Sequence, residues 1–359
     1  MAPIRAAKAW RLGIRRLASD ALSDLMASSK QSIAVRGAGV IGLWQALTLA
    51  RQGHAVTLYE RSEQPFAEAC STFAGAMLAP HCEEESADPV IRRLGVRGIA
   101  LWREIYPGTV TNGSLVVAQT RDRVLLDRFA RMTHDAQRLD EAELAALEPD
   151  LGQRFGGALY YPNEAHLAPK PALEFLLDEA IAAGARLKLG EGDIPRDADI
   201  VIDCRGLAAK DDLPALRGVR GERIVVRARD VALHRPIRLL HPRFPLYTVP
   251  WGDELYMIGA TVIESEETGP VSVRSALELL SAAYALDPAF GEAEIVALGA
   301  GARPAFPDNR PRIIPAKGYI YVNGLYRHGF LLAPVLAELV AAYIGTGAIE
   351  PEVFLADPA

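Results

Sequence analysis

The run Ser32-Ile-Ala-Val-Arg-Gly37-Ala38-Gly39-Val40-Ile41-Gly42-Leu-Trp-Gln-Ala-Leu47 carries the first clear architectural signal in the chain. Ser32 to Val35 reads as a short apolar strand, and Val40 to Gln52 as a helix that Gly53 terminates. Ala55 to Tyr59 reads as a second strand closed by Glu60, so the segment is a βαβ unit. Its turn fits G-x-G-x-x-G, and each glycine has a physical task. Gly37 allows the tight strand-to-helix turn, Gly39 lets a pyrophosphate approach the backbone, and Gly42 lets helix and strand pack closely. Phosphates then rest on the positive end of the helix. Glu60 stands where an acidic side chain takes both hydroxyls of an adenosine ribose, and a carboxylate there disfavours a 2′-phosphate. NAD and FAD share this fingerprint, so the turn alone does not separate them.

Beyond this unit, residues 88 to 106 read as a helix with Val90, Leu94, Ile99 and Leu101 as core candidates. Ser114 to Gln119 and Ala158 to Tyr161 read as strands. Pro171 is expected to open a helix from Ala172 to Ala183, with Gly184 ending it and Arg186 to Leu189 returning as a strand. Asp199 to Cys204 is another apolar strand. From Glu222 to Ala260 the pattern changes to alternating strands: Ile224 to Arg227, Leu246 to Val249 and Leu255 to Ile258. A helix over 272 to 286, a strand from Tyr319 to Val322 and a helix from Phe330 to Tyr343 complete the reading. Nucleotide-type βα elements thus recur at the beginning, middle and end, with a β-rich insert between. That predicts an α/β fold with an α+β second domain.

The 359 residues are 50% hydrophobic and 23% charged, which excludes a disordered or coiled-coil chain and predicts a soluble globular one. A net charge of -6 argues against a nucleic-acid binder. The longest apolar run, Leu331 to Ile344, is interrupted by Pro334 and Glu338, short of the roughly 18 apolar residues a membrane span requires, so no membrane segment is expected. Cys70, Cys82 and Cys204 are too few and too irregularly spaced for a disulfide framework or a zinc site. They are expected to be reduced thiols of a cytoplasmic protein, with no metal bound, and Cys70 and Cys82 to be buried or idle. Residues 1 to 31 form a basic leader in which Arg5, Lys8, Arg11, Arg15, Arg16 and Lys30 outweigh Asp20 and Asp24. It reads either as an organelle transit peptide or as a stretch upstream of a start at Met26.

A second signal follows Glu60. In Cys70-Ser71-Thr72-Phe73-Ala74-Gly75-Ala76-Met77-Leu78, small and hydroxylated residues bring backbone N–H groups towards a phosphate or a ring edge, for which an ordinary NAD domain has no use. Together with Gly156-Gly-Ala-Leu-Tyr-Tyr-Pro-Asn-Glu-Ala-His166, Leu246-Tyr247-Thr-Val-Pro250, Ile258-Gly-Ala-Thr261, Gly301-Ala-Arg303-Pro304 and Gly324-Leu-Tyr-Arg327-His-Gly-Phe-Leu-Leu-Ala-Pro334, this segment resembles the D-amino-acid oxidase superfamily. The likeness is greatest to the glycine oxidases of thiamine biosynthesis, and the pieces run in family order from about residue 32 to 345.

The resemblance implies a discontinuous Rossmann-like FAD domain over 32–90, 155–221 and 301–348, with a mixed-sheet substrate domain over 91–154 and 222–300. It places FAD contacts through Gly37, Ala38, Gly39, Val40, Ile41 and Gly42, and at Glu60 and Arg61. Further contacts are implied at Thr72, Ala74, Gly75 and Met77, at Gly301, and on the turn through His328, Gly329, Phe330 and Leu331. Backbone N–H groups at the start of that last helix would favour negative charge on a reduced flavin. No cysteine lies between Arg303 and Ile314, where sarcosine-oxidase relatives link their flavin, so FAD is expected to be noncovalent. Gly190 to Ala198 is shorter than the family's adenine clamp, and no adenine contact is assigned.

For the substrate the resemblance implies Arg303 as the carboxylate anchor, since a guanidinium holds a carboxylate through two parallel hydrogen bonds. Tyr247 is expected to donate to the same carboxylate, Val262 to line the pocket, and Arg327 to stand as a second active-site arginine near the flavin edge. His328 is not expected to serve as a base, because geometry rather than a side-chain base makes the hydride transfer work. The implied reaction is oxidation of glycine, or another small amine, by hydride transfer from Cα, with dioxygen reduced to hydrogen peroxide. The imine then hydrolyses or passes to a thiazole synthase, and the resemblance also implies a homo-oligomer. The competing readings are a D-amino-acid or sarcosine-type oxidase or dehydrogenase of the same fold, an NAD-dependent dehydrogenase, and a silent dinucleotide-binding module.

Overall fold

A computed structural model of the protein describes residues 30–191, 198–241, 246–316 and 318–355. The leader is therefore outside the described residues up to residue 29, as is most of the short stretch between Gly190 and Ala198. In chain order the first part comprises β1 (Ser32–Arg36), α1 (Val40–Arg51), β2 (Ala55–Glu60), a 3-10 turn at Cys70–Phe73, β3 (Met77–Leu78), α2 (Pro80–Glu83) and α3 (Pro89–Ile105). Then follow β4 (Ser114–Ala118), α4 (Arg123–Met132), β5 (Gln137–Leu139), α5 (Glu141–Leu147), α6 (Pro149–Gly152), β6 (Ala158–Tyr161), β7 (Ala165–His166), α7 (Pro169–Ala182), β8 (Arg186–Leu189) and β9 (Ile200–Asp203). The remainder is β10 (Arg217–Arg227), β11 (Ile237–Leu240), β12 (Leu246–Gly252), β13 (Leu255–Gly259), β14 (Ile263–Glu264), α8 (Val273–Leu286), β15 (Glu294–Ala305), β16 (Arg312–Ala316), β17 (Tyr319–Asn323) and α9 (Gly329–Thr346).

The first sheet has the order β16-β17-β9-β1-β2-β8. β1 pairs in parallel with β2, Ser32 opposite Ala55 and Arg36 opposite Tyr59, and on its other edge with β9. Parallel strands covered on both faces read as apolar runs, and Ile33, Val35, Val56, Leu58 and Ile202 are all buried. α1, α3, α7 and α9 supply residues to the same core. The second sheet is mixed, in the order β14-β10-β13-β12-β11-β4-β6-β5, with β15 on the other edge of β10. This is the α/β architecture with a mixed second sheet that the sequence predicts. Sheet membership does not follow the expected segment boundaries, however. β6, the whole of β10 and the Glu294–Ala305 strand belong to the second sheet, although the resemblance places 155–221, and with it the start of β10, and 301–348 in the first domain.

Most expected elements hold within a residue or two, and Val90, Leu94, Ile99 and Leu101 are buried as the periodicity requires. One helix starts earlier than expected. α7 begins at Pro169, placing Pro171 third rather than first. The first N–H groups of a helix have no helical acceptor, so the first turn tolerates both prolines. Among the described residues, α9 is the one helix long and apolar enough to cross a membrane, but 61% of it is buried inside the fold. Its first turn is fixed from below. Trp102 Nε1 donates to Phe330 O at 2.6 Å, and a Cβ at Gly98 would stand 1.9 Å from Leu331 O, so α3 lies directly against the opening of α9.

Candidate functional site

The glycine turn has the geometry its sequence demands. Gly37 takes φ +90°, open to glycine and strained for other residues. A Cβ at Gly42 would stand 1.8 Å from Gly37 O, which leaves no room for a side chain between helix and strand. Glu60 is buried at the end of β2, its Oε2 accepting from Ala38 N at 3.0 Å and its Oε1 from Ser62 N at 3.2 Å. Ser71 Oγ accepts from Val40 N at 3.1 Å, tying the Cys70–Phe73 turn to the start of α1. Thr72 spends its own hydroxyl on Ala69 O. Arg61 points outward and pairs with Glu68 on the surface.

From this turn a cleft extends to the second sheet. Val40, Ala74, Gly75, Met77, Gly301, His328, Gly329, Phe330 and Leu331 are among the residues that line it. Two helix N-termini therefore open onto one space, α1 at Val40 and α9 at Gly329. Each presents N–H groups without helical acceptors and a positive dipole end. A long ligand with a pyrophosphate at the start of α1 and an electron-accepting ring towards α9 suits these walls. The residues present thus suit FAD: the elbow takes no Cβ, and the far end of the cleft is a bed of glycines. Gly221 and Gly301 face each other across β10 and β15, and Phe73 lies against Gly299 and Gly301.

The far end carries the charge. Arg303, on β15, packs its guanidinium on Gly221 and donates from Nη1 to Thr261 O at 3.1 Å. Thr261 is itself held twice by Glu222: Thr261 N donates to Glu222 O, and Glu222 N to Thr261 Oγ1 at 2.9 Å. No carboxylate among the described residues pairs with Arg303. Burial, then the charge of Arg327, pulls its pKa down to about 10. A partly buried guanidinium without a counter-ion is a site for an anion.

Tyr247, from β12, does not present its proton to the cleft as the sequence suggests. Its hydroxyl donates to Glu83 Oε1 at 3.2 Å and accepts from Arg327 Nη2 at 3.0 Å. Arg327 Nη2 also reaches Glu83 Oε1 at 3.3 Å. Glu83, at the end of α2, is the acidic residue that sequence reasoning missed. Burial alone would raise its pKa, but Arg327, His328 and Arg238 overcome that and hold it at about 2. Burial lowers His328 to about 4, so its ring is neutral near pH 7. The two other expectations for this end differ from what is found. Val262 is 52% exposed and not part of the cleft wall, because the chain leaves the sheet after Gly259. Cys70 is not buried but exposed, on the cleft wall, whereas Cys82 and Cys204 are buried. Among the described residues no cluster of His, Cys, Asp and Glu is suited to a metal ion.

Comparison with known proteins gives a consistent result. The family model of the DAO group, FAD dependent oxidoreductase, matches residues 32–343. The chain is 51% identical to the "Putative thiamine biosynthesis oxidoreductase ThiO" of Rhizobium etli over 89% of this chain and 98% of that protein. It is 26% identical to the "Bifunctional protein ThiO/ThiG" of a Synechocystis strain, covering 91% of this chain and 53% of that longer protein. The crystal structure of glycine oxidase from Geobacillus kaustophilus aligns with a TM-score of 0.76 at 26% identity, over 88% of this chain and 95% of that one.

Proposed function

This chain belongs to the DAO family of FAD dependent oxidoreductases and is an FAD-dependent amino-acid oxidase, and from that premise we propose that its substrate is glycine or a similarly small amine. The observation that carries this reading is Arg303, a guanidinium at the end of the cofactor cleft with no acidic partner among the described residues. It takes the substrate carboxylate through two parallel hydrogen bonds and so sets both position and rotation. Thr261 and Glu222 keep the guanidinium from turning. When bound, FAD supplies the two-electron acceptor for the Cα–H bond. Gly221 and Gly301 leave the space beside Arg303 free of side chains, so the reacting carbon can lie close to that acceptor. The N–H groups of Gly329, Phe330 and Leu331 stabilise negative charge that develops at the cleft wall. Burial lowers His328 to about 4, which makes it a weak base, and the reading assigns it no proton transfer from carbon.

In this reading dioxygen is the electron acceptor and hydrogen peroxide the second product, with FAD held noncovalently. The product imine serves assembly of the thiazole of thiamine. The likeness to a thiamine-biosynthesis oxidoreductase, and to a longer bifunctional ThiO/ThiG protein, supports that role. The test is peroxide release by the FAD-loaded protein on a panel of glycine, sarcosine, D-alanine and D-proline. Fastest turnover of glycine supports the assignment. Turnover of a D-amino acid or sarcosine alone transfers it to a sibling activity, and peroxide from none refutes the oxidase reading.

A further inference from the structure

Glu83 has one oxygen to spare. Oε1 takes the hydroxyl of Tyr247 at 3.2 Å and Nη2 of Arg327 at 3.3 Å. Oε2 accepts no hydrogen bond among the described residues, and Nδ1 of the neutral His328 ring stands 4.0 Å from it. A carboxylate accepts about four hydrogen bonds, and a half-used one in a low-dielectric site is costly unless a donor arrives. The side chain is 12% exposed, and it borders the same cleft as Arg303. No other carboxylate borders that cleft among the described residues.

The direction of Glu83 is held firmly. Arg327 stacks over the Tyr247 ring at 5.5 Å, and Arg238 over the same ring at 5.1 Å. Arg238 also donates to Cys82 O at 3.0 Å, which steadies the turn of α2 that carries Glu83. On the other side, Cys82 N donates to the buried Glu164 at 2.8 Å. The carboxylate is thus clamped by its own neighbours, and it is ionised at any working pH.

We propose that Glu83 is the amine anchor of the site: with Arg303 on the carboxylate, Glu83 Oε2 accepts an N–H of the substrate nitrogen, which makes the enzyme selective for α-amino acids over plain carboxylates. This rests on the carboxylate role of Arg303. Its content is separate, since Arg303 alone recognises any small carboxylate. Glu83 is too weak a base to take the proton that leaves the ammonium; it orients the nitrogen and leaves that proton to solvent. Tyr247 and Arg327 are positioning residues for Glu83 in this arrangement.

The test uses two ligands of equal shape that have no Cα–H and cannot be oxidised: α-aminoisobutyrate, and trimethylacetate with a methyl group where the ammonium stands. Binding to the oxidised, FAD-loaded protein is read from the change in flavin absorbance. The wild-type protein is expected to hold α-aminoisobutyrate about tenfold or more tighter than trimethylacetate, the effect of one charge-assisted hydrogen bond. In Glu83→Gln that preference is expected to vanish, while trimethylacetate binds as tightly as before or tighter, because a negative charge near Arg303 has gone. Glu83→Asp, which keeps the charge, retains part of the preference. A preference that survives Glu83→Gln, or that the wild type lacks, overturns the anchor. Loss of FAD from both variants assigns Glu83 to holding the fold and overturns it as well. If Arg303→Ala binds trimethylacetate as the wild type does, the carboxylate reading fails first, and the anchor with it.

Discussion

Glu164 offers a quantitative test of the electrostatics beneath the site. It is fully buried, its carboxyl accepting from Cys82 N at 2.8 Å and hydrogen-bonded to Ser114 Oγ, with no cationic partner among the described residues. Burial raises its pKa from 4.5 to about 7, against the opposing pull of Ser114 and Cys82. The native state therefore holds a proton between pH 4.5 and 7 that the unfolded chain has released. The contribution is fully present below pH 4.5 and is lost as pH rises through 7. A shift from 4.5 to about 7 corresponds to about 3 kcal/mol of stability. Glu164→Gln keeps the shape and the acceptor oxygen and removes the titration. Urea unfolding of both proteins from pH 4.5 to 8 is the assay, read as the difference between their free energies. The variant is expected to gain about 3 kcal/mol on the wild type across that window. Parallel profiles would refute the reasoning, because they would mean that the carboxyl titrates alike in folded and unfolded chains.

Other expectations follow from single positions. Gly42→Ala places a Cβ 1.8 Å from Gly37 O, so the turn must open; titration of the apoprotein should show FAD affinity lower by about a hundredfold or more, and wild-type affinity would contradict the elbow geometry. Gly98→Ala drives a methyl group into Leu331 O, 1.9 Å away, and is expected to displace the first turn of α9 and weaken FAD binding without removing any cleft side chain. Arg223 is lowered to about 10 by burial, and its Nε and Nη1 have no hydrogen-bond partner. Arg223→Met should raise stability in urea by about 1–2 kcal/mol, and a loss of that size would show that its contacts with Thr72, Phe73 and Trp251 outweigh the buried charge.

The parts legible in the sequence are those that local physics determines. A glycine elbow between a strand and a helix has one geometry, and Gly37 and Gly42 obey it whatever surrounds them. The buried positions of α3 follow from period alone. β15 is not legible locally: Gly299, Gly301 and Pro304 weaken any strand signal, and the strand exists because β10 pairs with it along its length. α5, by contrast, carries a local start signal, the capping box of Asp140 with Glu143. Glu83 sits in the run Glu83-Glu84-Glu85, and composition does not separate the three. Only the end of α2 does so, sending Glu83 to Arg327, Glu84 to Arg92 and Glu85 to Arg238. Val262 and Arg61 differ for the same kind of reason, since spacing in the chain does not say which way a side chain turns once the strand has ended.

The most direct measurement is anaerobic reduction of the bound flavin by glycine, in the wild-type protein and in Arg303→Ala, each carrying a full complement of FAD. Two charge-assisted hydrogen bonds to a carboxylate predict that the variant keeps its FAD spectrum while its reduction rate at low glycine falls by about 10²–10⁴-fold. Reduction of Arg303→Ala by glycine at the wild-type rate would contradict the account.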